Sequence, residues 1–339
     1  MIAQHVRRLE AYTPGEQPKT RTVVKLNTNE NPYPPSPACT KVLASFDLDR
    51  LRRYPDPVFF ALRKALAKLN GTTPDRVFVG NGSDEILSLA ARAFVEDGES
   101  IGSLDPSYSL YKTLASIRNV PWEPLEGNDL SALPPSGVSL FLLTNPNAPT
   151  GEFREPTSIA AFARKFKGVV LVDEAYADFA HGNCMALATA RRNRNVLVMR
   201  TFSKSYSLAG LRVGYCVGPK PLIDALYKIK DSYNVDAIAQ AVALAAVTDQ
   251  TWMKENVKKV IRTRTWFTDE LVTRGWDILP SESNFVFAKP PHPLRAARLF
   301  AALKKKNIFV RYFKGPKTGD RLRITIGTDA EMRKLLAKI

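Results

Sequence analysis

The chain has 339 residues, of which 45% are apolar and 24% are charged. These proportions are typical of a globular protein with room for two domains, and they exclude a largely disordered chain. The opening sequence MIAQHVRRLE lacks the apolar core of a signal peptide, and no later apolar run approaches the roughly 20 residues that span a bilayer. We therefore expect a cytoplasmic protein with no membrane partner.

The formal net charge of +16 is compatible with binding to nucleic acid, an acidic membrane surface or anionic small molecules. The dense basic clusters lie at 191–194 and 304–306, and neither is interleaved with stacking aromatic residues. We interpret both as solvated helix faces or ends and expect no nucleic-acid partner. Cys39, Cys184 and Cys216 are too widely separated for a disulfide framework or a zinc site.

In chain order, the first 40 residues are rich in Pro, Asn and Thr, which favours an extended arm. Residues 56–70 then have the pattern of an amphipathic helix that stops at Gly71. Short apolar runs alternate with helical segments over the next part of the chain. The sequence predicts strands at 76–80, 100–104, 138–144, 168–176 and 195–202 and helices at 83–95, 107–117 and 155–166. This alternation predicts parallel βαβ units with both faces of the sheet covered.

Helical patterns dominate after residue 218, and the end of the chain mixes helix and strand. The sequence predicts helices at 220–231, within 236–275 and at 294–306, and strands at 283–289, 308–313 and 322–327. A second, smaller domain formed by the two chain ends is the natural inference. We therefore predict an arm with part of the small domain at 1–40, a large domain at 41–235 and a small C-terminal domain at 236–339.

A glycine-rich turn with Gly80 and Gly82 follows the first predicted strand. The backbone N–H groups of Ser83 and Asp84 would open the next helix without an acceptor inside it, which suits a phosphate. The same residues also make an ordinary N-cap with acids in the first turn. The turn matches neither GxGxxG nor GxxxxGK[ST], which counts against a dinucleotide or a nucleoside triphosphate.

A carboxylate follows another apolar strand. Asp173 ends the run GVVLV, at the edge where open α/β sheets bind ligands, and Tyr176 lies three residues further on. A carboxylate at that position must find a positive or hydrogen-bond-donating partner. Asp173 is therefore either a ligand contact or a structural ion pair or helix cap.

Basic and hydroxyl side chains cluster after the strand at 195–202. Arg212 with the hydroxyls of Thr201 and Ser203 would form an anion site. Lys204 lies among them, and a lysine that is partly desolvated or near other cations has a lowered pKa, which makes it a nucleophile for a carbonyl. Taken alone, a lysine after a strand is more often a surface residue.

Together these groups match the needs of one cofactor. A carbonyl compound with a phosphate and a ring nitrogen needs an amine, an anion site and a carboxylate that keeps the nitrogen protonated. Pyridoxal 5′-phosphate has those parts, and Tyr108 could stack on its ring. We expect no metal, because His5, His181 and His292 are widely spaced and the chain lacks HExxH.

The order of motifs strengthens this interpretation. The chain contains NENP, RYPDP, GNGSDE, DPSY, TNPNAPTG, DEAY, TFSKSYSLAGLRVG and LRITIG in that order. Over nearly its whole length it resembles the fold-type I pyridoxal-phosphate aminotransferases, and within them most closely the histidinol-phosphate aminotransferases. The resemblance implies an α/β fold whose large domain has a mostly parallel seven-stranded sheet between helices, with a smaller α+β domain from both chain ends.

The resemblance also implies a role for each matching residue. Lys204 would be the Schiff-base lysine and proton carrier, Asp173 would hold the pyridinium and Tyr176 the phenolic oxygen of the cofactor. The other implied cofactor contacts are Gly82, Ser83, Asp84, Tyr108, Asn147, Thr201, Ser203 and Arg212. The implied substrate contacts are Tyr12, Asn29, Tyr54, Arg311 and Arg323.

Among the implied substrate contacts, Arg323 matches the arginine that grips the carboxylate of glutamate or 2-oxoglutarate. Tyr12, Tyr54 and Arg311 match positions that receive the phosphate end of histidinol phosphate. Because Tyr54 would reach the site from the partner subunit, the resemblance implies a homodimer.

The implied reaction is a ping-pong transamination of histidine biosynthesis, between L-histidinol phosphate with 2-oxoglutarate and imidazole acetol phosphate with L-glutamate. Aromatic or aspartate aminotransferases and threonine-phosphate decarboxylases share the same cofactor residues and remain alternatives. A pyridoxal-phosphate-sensing DNA-binding regulator would need a helix-turn-helix domain, for which the assigned segments leave no room.

One position departs from the family pattern. Ala148 stands where the motif NPNNPTG has an asparagine that bonds the cofactor's phenolic oxygen. Alanine has no donor, so we hypothesise that Tyr176, with Asn147 or a water molecule, takes over that hydrogen bond.

Overall fold

The computed structural model describes residues 1–9, 15–18, 23–127 and 129–339. The α-helices of the described chain are α1 Gln4–Arg8, α2 Pro37–Ala44, α3 Phe60–Leu69, α4 Ser83–Ala93, α5 Leu110–Arg118, α6 Pro156–Lys165, α7 Met185–Thr189, α8 Lys220–Ile229, α9 Ala237–Thr248, α10 Gln250–Thr273, α11 Ala296–Lys305 and α12 Asp329–Leu336. The strands are β1 Val24–Lys25, β2 Val77–Gly80, β3 Ser100–Asp105, β4 Trp122–Glu126, β5 Val138–Thr144, β6 Val169–Asp173, β7 Val196–Thr201, β8 Gly214–Val217, β9 Asp277–Ile278, β10 Phe285–Lys289, β11 Ile308–Phe309, β12 Arg311–Tyr312 and β13 Leu322–Thr325.

A seven-stranded sheet forms the centre of the molecule, in the order β2-β8-β7-β6-β5-β3-β4. The pairs from β7 to β4 are parallel, whereas β8 is antiparallel to both β2 and β7. Parallel strands present their carboxyl ends at one edge, so the sheet brings five strand ends together there. These ends are Asp105, Glu126, Thr144, Asp173 and Thr201.

Alternate residues of the central strands enter two separate apolar cores. Leu140 and Leu142 of β5 belong to the core with α4 and α5, whereas Phe141 and Leu143 belong to the core on the opposite face. Successive side chains of a strand point to opposite faces, so a sheet covered on both sides needs continuous apolar strands. This burial of both faces fixes the height and direction of each strand end at the cavity.

The predicted α/β class with a mostly parallel seven-stranded sheet is confirmed. Two of the seven strands, β4 and β8, are absent from the sequence prediction. β4 lies at the edge of the sheet, is half-exposed and contains a proline and two glutamates, so it lacks the apolar signal. β8 is buried but only four residues long, and its antiparallel pairing interrupts the βαβ pattern.

Residues from both chain ends form the smaller sheets. β1 pairs in parallel with β11, and β12-β13-β10-β9 form an antiparallel sheet. The predicted strand at 308–313 is two strands, because β11 pairs with β1 and β12 with β13. The helical region at 236–275 is likewise two helices, with the Asp249 side chain accepting from Trp252 N at the start of α10. The domain boundaries after residues 40 and 235 stay a prediction.

The structure offers no segment for crossing a bilayer: within the described ranges, every helix is too short or too polar for that.

Candidate active site

A cavity of about 910 Å³ lies at the carboxyl edge of the large sheet and is closed on one side by β12, β13 and the loop between them. Most of the residues singled out from the sequence line it. They are Asn29, Ser83, Asp84, Tyr108, Asp173, Tyr176, Thr201, Ser203, Lys204, Arg212, Arg311 and Arg323. The structure thus brings these side chains to one place, although their individual roles stay predictions.

Lys204 lies half-buried in the cavity wall, three residues after the end of β7. Its Nζ donates to the backbone oxygen of Thr28 at 3.1 Å. Desolvation lowers the pKa of Lys204 to about 8, and the guanidinium groups of Arg323 and Arg212 act in the same direction. A useful fraction of this amine is therefore neutral near neutral pH, as a nucleophile or general base must be.

Asp173 ends β6 and is buried. Its two carboxylate oxygens accept from Tyr111 Oη at 3.0 Å and from Ala175 N at 3.1 Å. Burial raises the pKa of Asp173 to about 6, so the group is mostly ionised at pH 7. Tyr111, whose hydroxyl also lies 2.5 Å from Thr144 Oγ1, was not predicted because an aromatic residue on the buried face of α5 resembles ordinary core.

Hydroxyl, guanidinium and backbone donors lie together at the predicted anion site. Thr201 Oγ1 donates to Ser203 Oγ at 3.0 Å, and Arg212 Nη1 donates to the same oxygen at 3.4 Å. Ser83 begins α4, whose first N–H groups have no acceptor inside the helix. Gly82 does not line the cavity, but its backbone has a φ of +79°, and an added Cβ would lie 2.5 Å from Arg212 Nη2. Glycine at that position therefore lets the guanidinium approach the turn.

Asp84 and Tyr108 lie beside this anion site. Arg212 Nη2 donates to Asp84 Oδ2 at 3.3 Å, and Tyr108 Oη donates to Asp84 Oδ1 at 3.5 Å. The Tyr108 ring lies edge-on to Tyr111, with 5.6 Å between centroids. Asp84 thus orients both the arginine and the aromatic ring.

Tyr176 is connected to both chain ends through Asn29. Asn29 Nδ2 donates to Tyr176 Oη at 2.9 Å, and Asn29 Oδ1 accepts from Thr325 Oγ1 at 3.0 Å. Asn29 has a φ of 56°, a left-handed conformation that asparagine tolerates better than most residues. The Tyr176 hydroxyl is therefore held by the side-chain amide of Asn29, which lies just after β1. Ala148 lines the same cavity.

Besides Gly82, two described residues that the sequence singled out, Asn147 and Tyr54, do not line the cavity of this chain. Asn147 is buried in the loop after β5, where its amide donates to Pro106 O and Thr150 Oγ1 at 3.0 Å each. Tyr54 is 79% exposed and stacks on Tyr233, with ring centroids 4.2 Å apart. Tyr12 lies outside the described residues.

The wall opposite the sheet is cationic. Arg311 of β12 and Arg323 of β13 are directly paired across two antiparallel strands, and both guanidinium groups lie 5.2 Å from the ring of Phe313. Lys317, which the sequence did not single out, lines the same cavity and pairs with Asp105 at 2.5 Å and with Glu126. No local pattern identifies Lys317, because its partners lie some two hundred residues earlier. Such a wall suits a substrate with anionic groups.

Comparison with known proteins gives concordant results. A sequence model of the family "Aminotransferase class I and II" matches residues 21–339. The histidinol-phosphate aminotransferases of Syntrophotalea carbinolica and Geobacter sp. (strain M21) are 44% and 43% identical to the chain. The first alignment covers 100% of this chain and 98% of the relative, and the second 98% and 96%.

Solved structures share the same architecture. The histidinol-phosphate aminotransferase from Sinorhizobium meliloti in complex with pyridoxal-5′-phosphate matches with a TM-score of 0.87 at 25% identity, over 99% of this chain and 95% of that one. The L-threonine-O-3-phosphate decarboxylase from Porphyromonas gingivalis matches with a TM-score of 0.82 at 22% identity, over 93% and 98% of the two chains. The second match is a likeness of fold alone.

Proposed function

The chain belongs to the class I and II aminotransferase family, and from that premise we propose that it interconverts L-histidinol phosphate with 2-oxoglutarate and imidazole acetol phosphate with L-glutamate. The observation that carries this proposal is a single cavity in which Lys204 and Asp173 face an anion site and a wall with two adjacent arginines. The full-length similarity to histidinol-phosphate aminotransferases supports this substrate over the alternatives.

The side chains of the cavity fit pyridoxal 5′-phosphate. Arg212, Thr201, Ser203 and the first N–H groups of α4 would hold the phosphate, and the buried carboxylate of Asp173 would face the ring nitrogen. When bound, this cofactor supplies an aldehyde that exchanges amines and a ring that withdraws electrons from the substrate. Every charged part of the cofactor thus has a complementary group in the cavity.

Lys204 and Asp173 divide the proton chemistry between them. The amine of Lys204, with a pKa of about 8, is basic enough to take a proton from the substrate Cα and is neutral often enough to do so near pH 7 to 8. Asp173, with a pKa of about 6, remains ionised in that range and would favour a proton on the ring nitrogen of a bound cofactor. Arg323 and Arg311 orient the anionic ends of the substrate beside this pair.

The second part of the proposal is a homodimer in which the partner subunit's Tyr54 completes the substrate site. Tyr54 is 79% exposed in a single chain, and other exposed apolar side chains lie near it in the sequence. Leu48, Leu51 and Phe60 are 70%, 50% and 57% exposed, which is costly for a monomer and typical of an interface. Docking of a second copy at this surface would bury them.

Half-reactions of the pyridoxal-phosphate-loaded protein test the substrate. Histidinol phosphate, phenylalanine, aspartate and threonine phosphate are added separately, and the rate of loss of the cofactor's visible absorbance is compared. We expect the largest second-order rate constant, the observed rate per unit of substrate concentration, for histidinol phosphate. A higher value for phenylalanine or aspartate, or release of CO₂ from threonine phosphate, would overturn the proposed substrate.

Replacing the lysine tests the catalytic assignment. Lys204→Ala removes the amine, so we expect loss of turnover by at least about a thousandfold, a magnitude typical of a deleted nucleophile and base. Lys220→Ala is the matched control, because Lys220 is a surface lysine paired with Asp224 and should leave turnover unchanged. Activity retained in the Lys204 variant would refute the assignment.

A further inference from the structure

Asn27 is a buried amide in the cavity wall, two residues before the asparagine that holds Tyr176. The residue is 2% exposed, and its Nδ2 donates to Glu16 O at 2.8 Å. Its backbone oxygen accepts from Arg323 Nη2 at 3.0 Å. The side-chain oxygen Oδ1 has no hydrogen-bond donor within the described chain. Asn27 therefore lines the cavity beside Arg323 and carries a buried side-chain oxygen that no donor of the described chain reaches.

The orientation of this amide is fixed by Glu16. Exchanging the nitrogen and oxygen of Asn27 would place two acceptors, Oδ1 and the backbone oxygen of Glu16, against each other. The nitrogen must therefore face Glu16, and Oδ1 must keep its position. A buried acceptor without a donor costs free energy, so such an oxygen in a ligand cavity is expected to gain its donor from the ligand.

The carboxylates that line the same cavity already have donors within the protein. Asp173 accepts from Tyr111 and Ala175, and Asp105 accepts from Lys317. The Glu30 carboxylate pairs with Lys25, and that of Asp84 with Arg212.

Among the described residues of the cavity wall, Asn27 Oδ1 is the buried side-chain acceptor that has no donor, and it is neutral. A neutral amide oxygen suits a neutral N–H donor better than a cation, for which a carboxylate would serve.

We infer that Asn27 Oδ1 accepts a hydrogen bond from the ring N–H of an azole-bearing substrate and thereby selects that ring. This inference rests on the proposed function, in which the phosphorylated substrate has an imidazole side chain. Glutamate has no ring N–H, and its side chain would offer only carboxylate oxygens to Oδ1. Asn27 is thus a specificity-determining residue for one of the two half-reactions.

A cycle of two proteins and two substrates tests the inference. The natural protein and Asn27→Ala are each assayed in the half-reaction with histidinol phosphate and with its thiazole analogue, in which sulfur replaces the ring N–H. The assay is run at about pH 8, where an imidazole with an ordinary pKa near 6.5 is neutral. Glutamate is assayed in parallel.

We expect the natural protein to prefer the imidazole substrate by about 10-fold in kcat/KM, the value of one hydrogen bond, and Asn27→Ala to show no preference. The glutamate half-reaction should change by less than about threefold in that variant. Asn234→Ala is the matched control, because Asn234 also has a buried Oδ1 without a donor but does not line the cavity. It should keep the natural preference.

An equal preference in the natural protein and in Asn27→Ala would overturn the inference while leaving the proposed function intact. Equal loss of the glutamate reaction would assign Asn27 a general positioning role and also overturn it. Failure of the natural protein to react with histidinol phosphate, with glutamate still reactive, would instead overturn the proposed substrate and the inference with it.

Discussion

Asp173 is a buried carboxylate whose ionised form destabilises the fold but suits the proposed contact with a ring nitrogen. Its folded-state pKa of about 6 lies above the ordinary value of 3.8, because burial disfavours the ionised form more than Tyr111 and Ala175 stabilise it. A difference of one pKa unit corresponds to about 1.4 kcal/mol, so ionised Asp173 destabilises the cofactor-free fold by up to about 3 kcal/mol. A protonated ring nitrogen facing this carboxylate would offset that cost.

We therefore predict that Asp173→Asn stabilises the cofactor-free protein against urea by about 1 to 3 kcal/mol at pH 7 while abolishing transamination. Because the folded pKa is raised, the carboxylate costs nothing below about pH 4, where it is protonated in both states. Its cost grows as the pH rises to about 6 and is constant above. The advantage of the variant should follow the same course, and an advantage independent of pH from 4 to 7 would contradict the prediction.

At the level of single residues, the sequence identified the groups whose chemistry is local. One segment after a strand contains Ser203, Lys204 and Arg212, so their closeness in space can be predicted from their closeness in the sequence. Asn27 and Tyr111 could not be found that way, because each acts through a partner far away in the chain. An asparagine just after a two-residue strand and a tyrosine on a helix have no distinguishing pattern of their own.

At the level of elements, α12 shows how a short terminal helix is held. Thr328 Oγ1 accepts from Glu331 N at 3.3 Å, and Glu331 Oε2 accepts in return from Thr328 N at 2.7 Å. This reciprocal cap satisfies donors at the start of the helix, whose Met332 and Leu335 side chains are buried in the core. The cap therefore holds the start of the helix that follows β13, the strand that carries Arg323.

We predict that Thr328→Ala lowers the free energy of unfolding by about 1 kcal/mol, as measured by urea denaturation of the cofactor-free protein. Thr265→Ala is the control, because Thr265 is exposed in the middle of α10 and bonds only Ile261 O in its own helix. Alanine favours helix there, so stability should stay the same or rise slightly. Equal losses in the two variants would argue against the cap.

The sequence predicted that the large sheet is mostly parallel, but it identified only some of its strands. Strands such as β5 and β6 can be recognised in the sequence, because burial on both faces makes them continuous apolar runs. The half-exposed edge strand β4 and the short antiparallel β8 lack that signal, and they depend on neighbours for their conformation. The smaller sheets were harder still, since β1 is two residues long and pairs with β11.

At the level of the whole molecule, the proposed exchange of Tyr54 predicts complementation between inactive subunits. In a hybrid dimer of Tyr54→Ala and Lys204→Ala, one site would have its lysine from the first chain and an intact tyrosine from the second. Random mixing gives hybrids as half of the dimers, each with one complete site, so about a quarter of the natural activity should return. The measurement is turnover before and after subunit exchange.

The control for this mixture is Lys204→Ala with Asp173→Asn. Both side chains belong to the cavity of the same chain, so no hybrid of these two variants has a complete site. Activity in the control mixture, or its absence in the Tyr54 mixture, would rule out a tyrosine shared between subunits.

The contact between Asn29 and Thr325 determines when the cavity can first exist in a newly made chain. These residues are 296 positions apart, and the Lys204 amine bonds the backbone of Thr28 beside them. During synthesis the strands of the large sheet are available once residue 217 has emerged, whereas the segment at 27–29 waits for β13 to leave the ribosome. A transcript that ends before β13 would therefore yield a chain that has the lysine but no closed site around it.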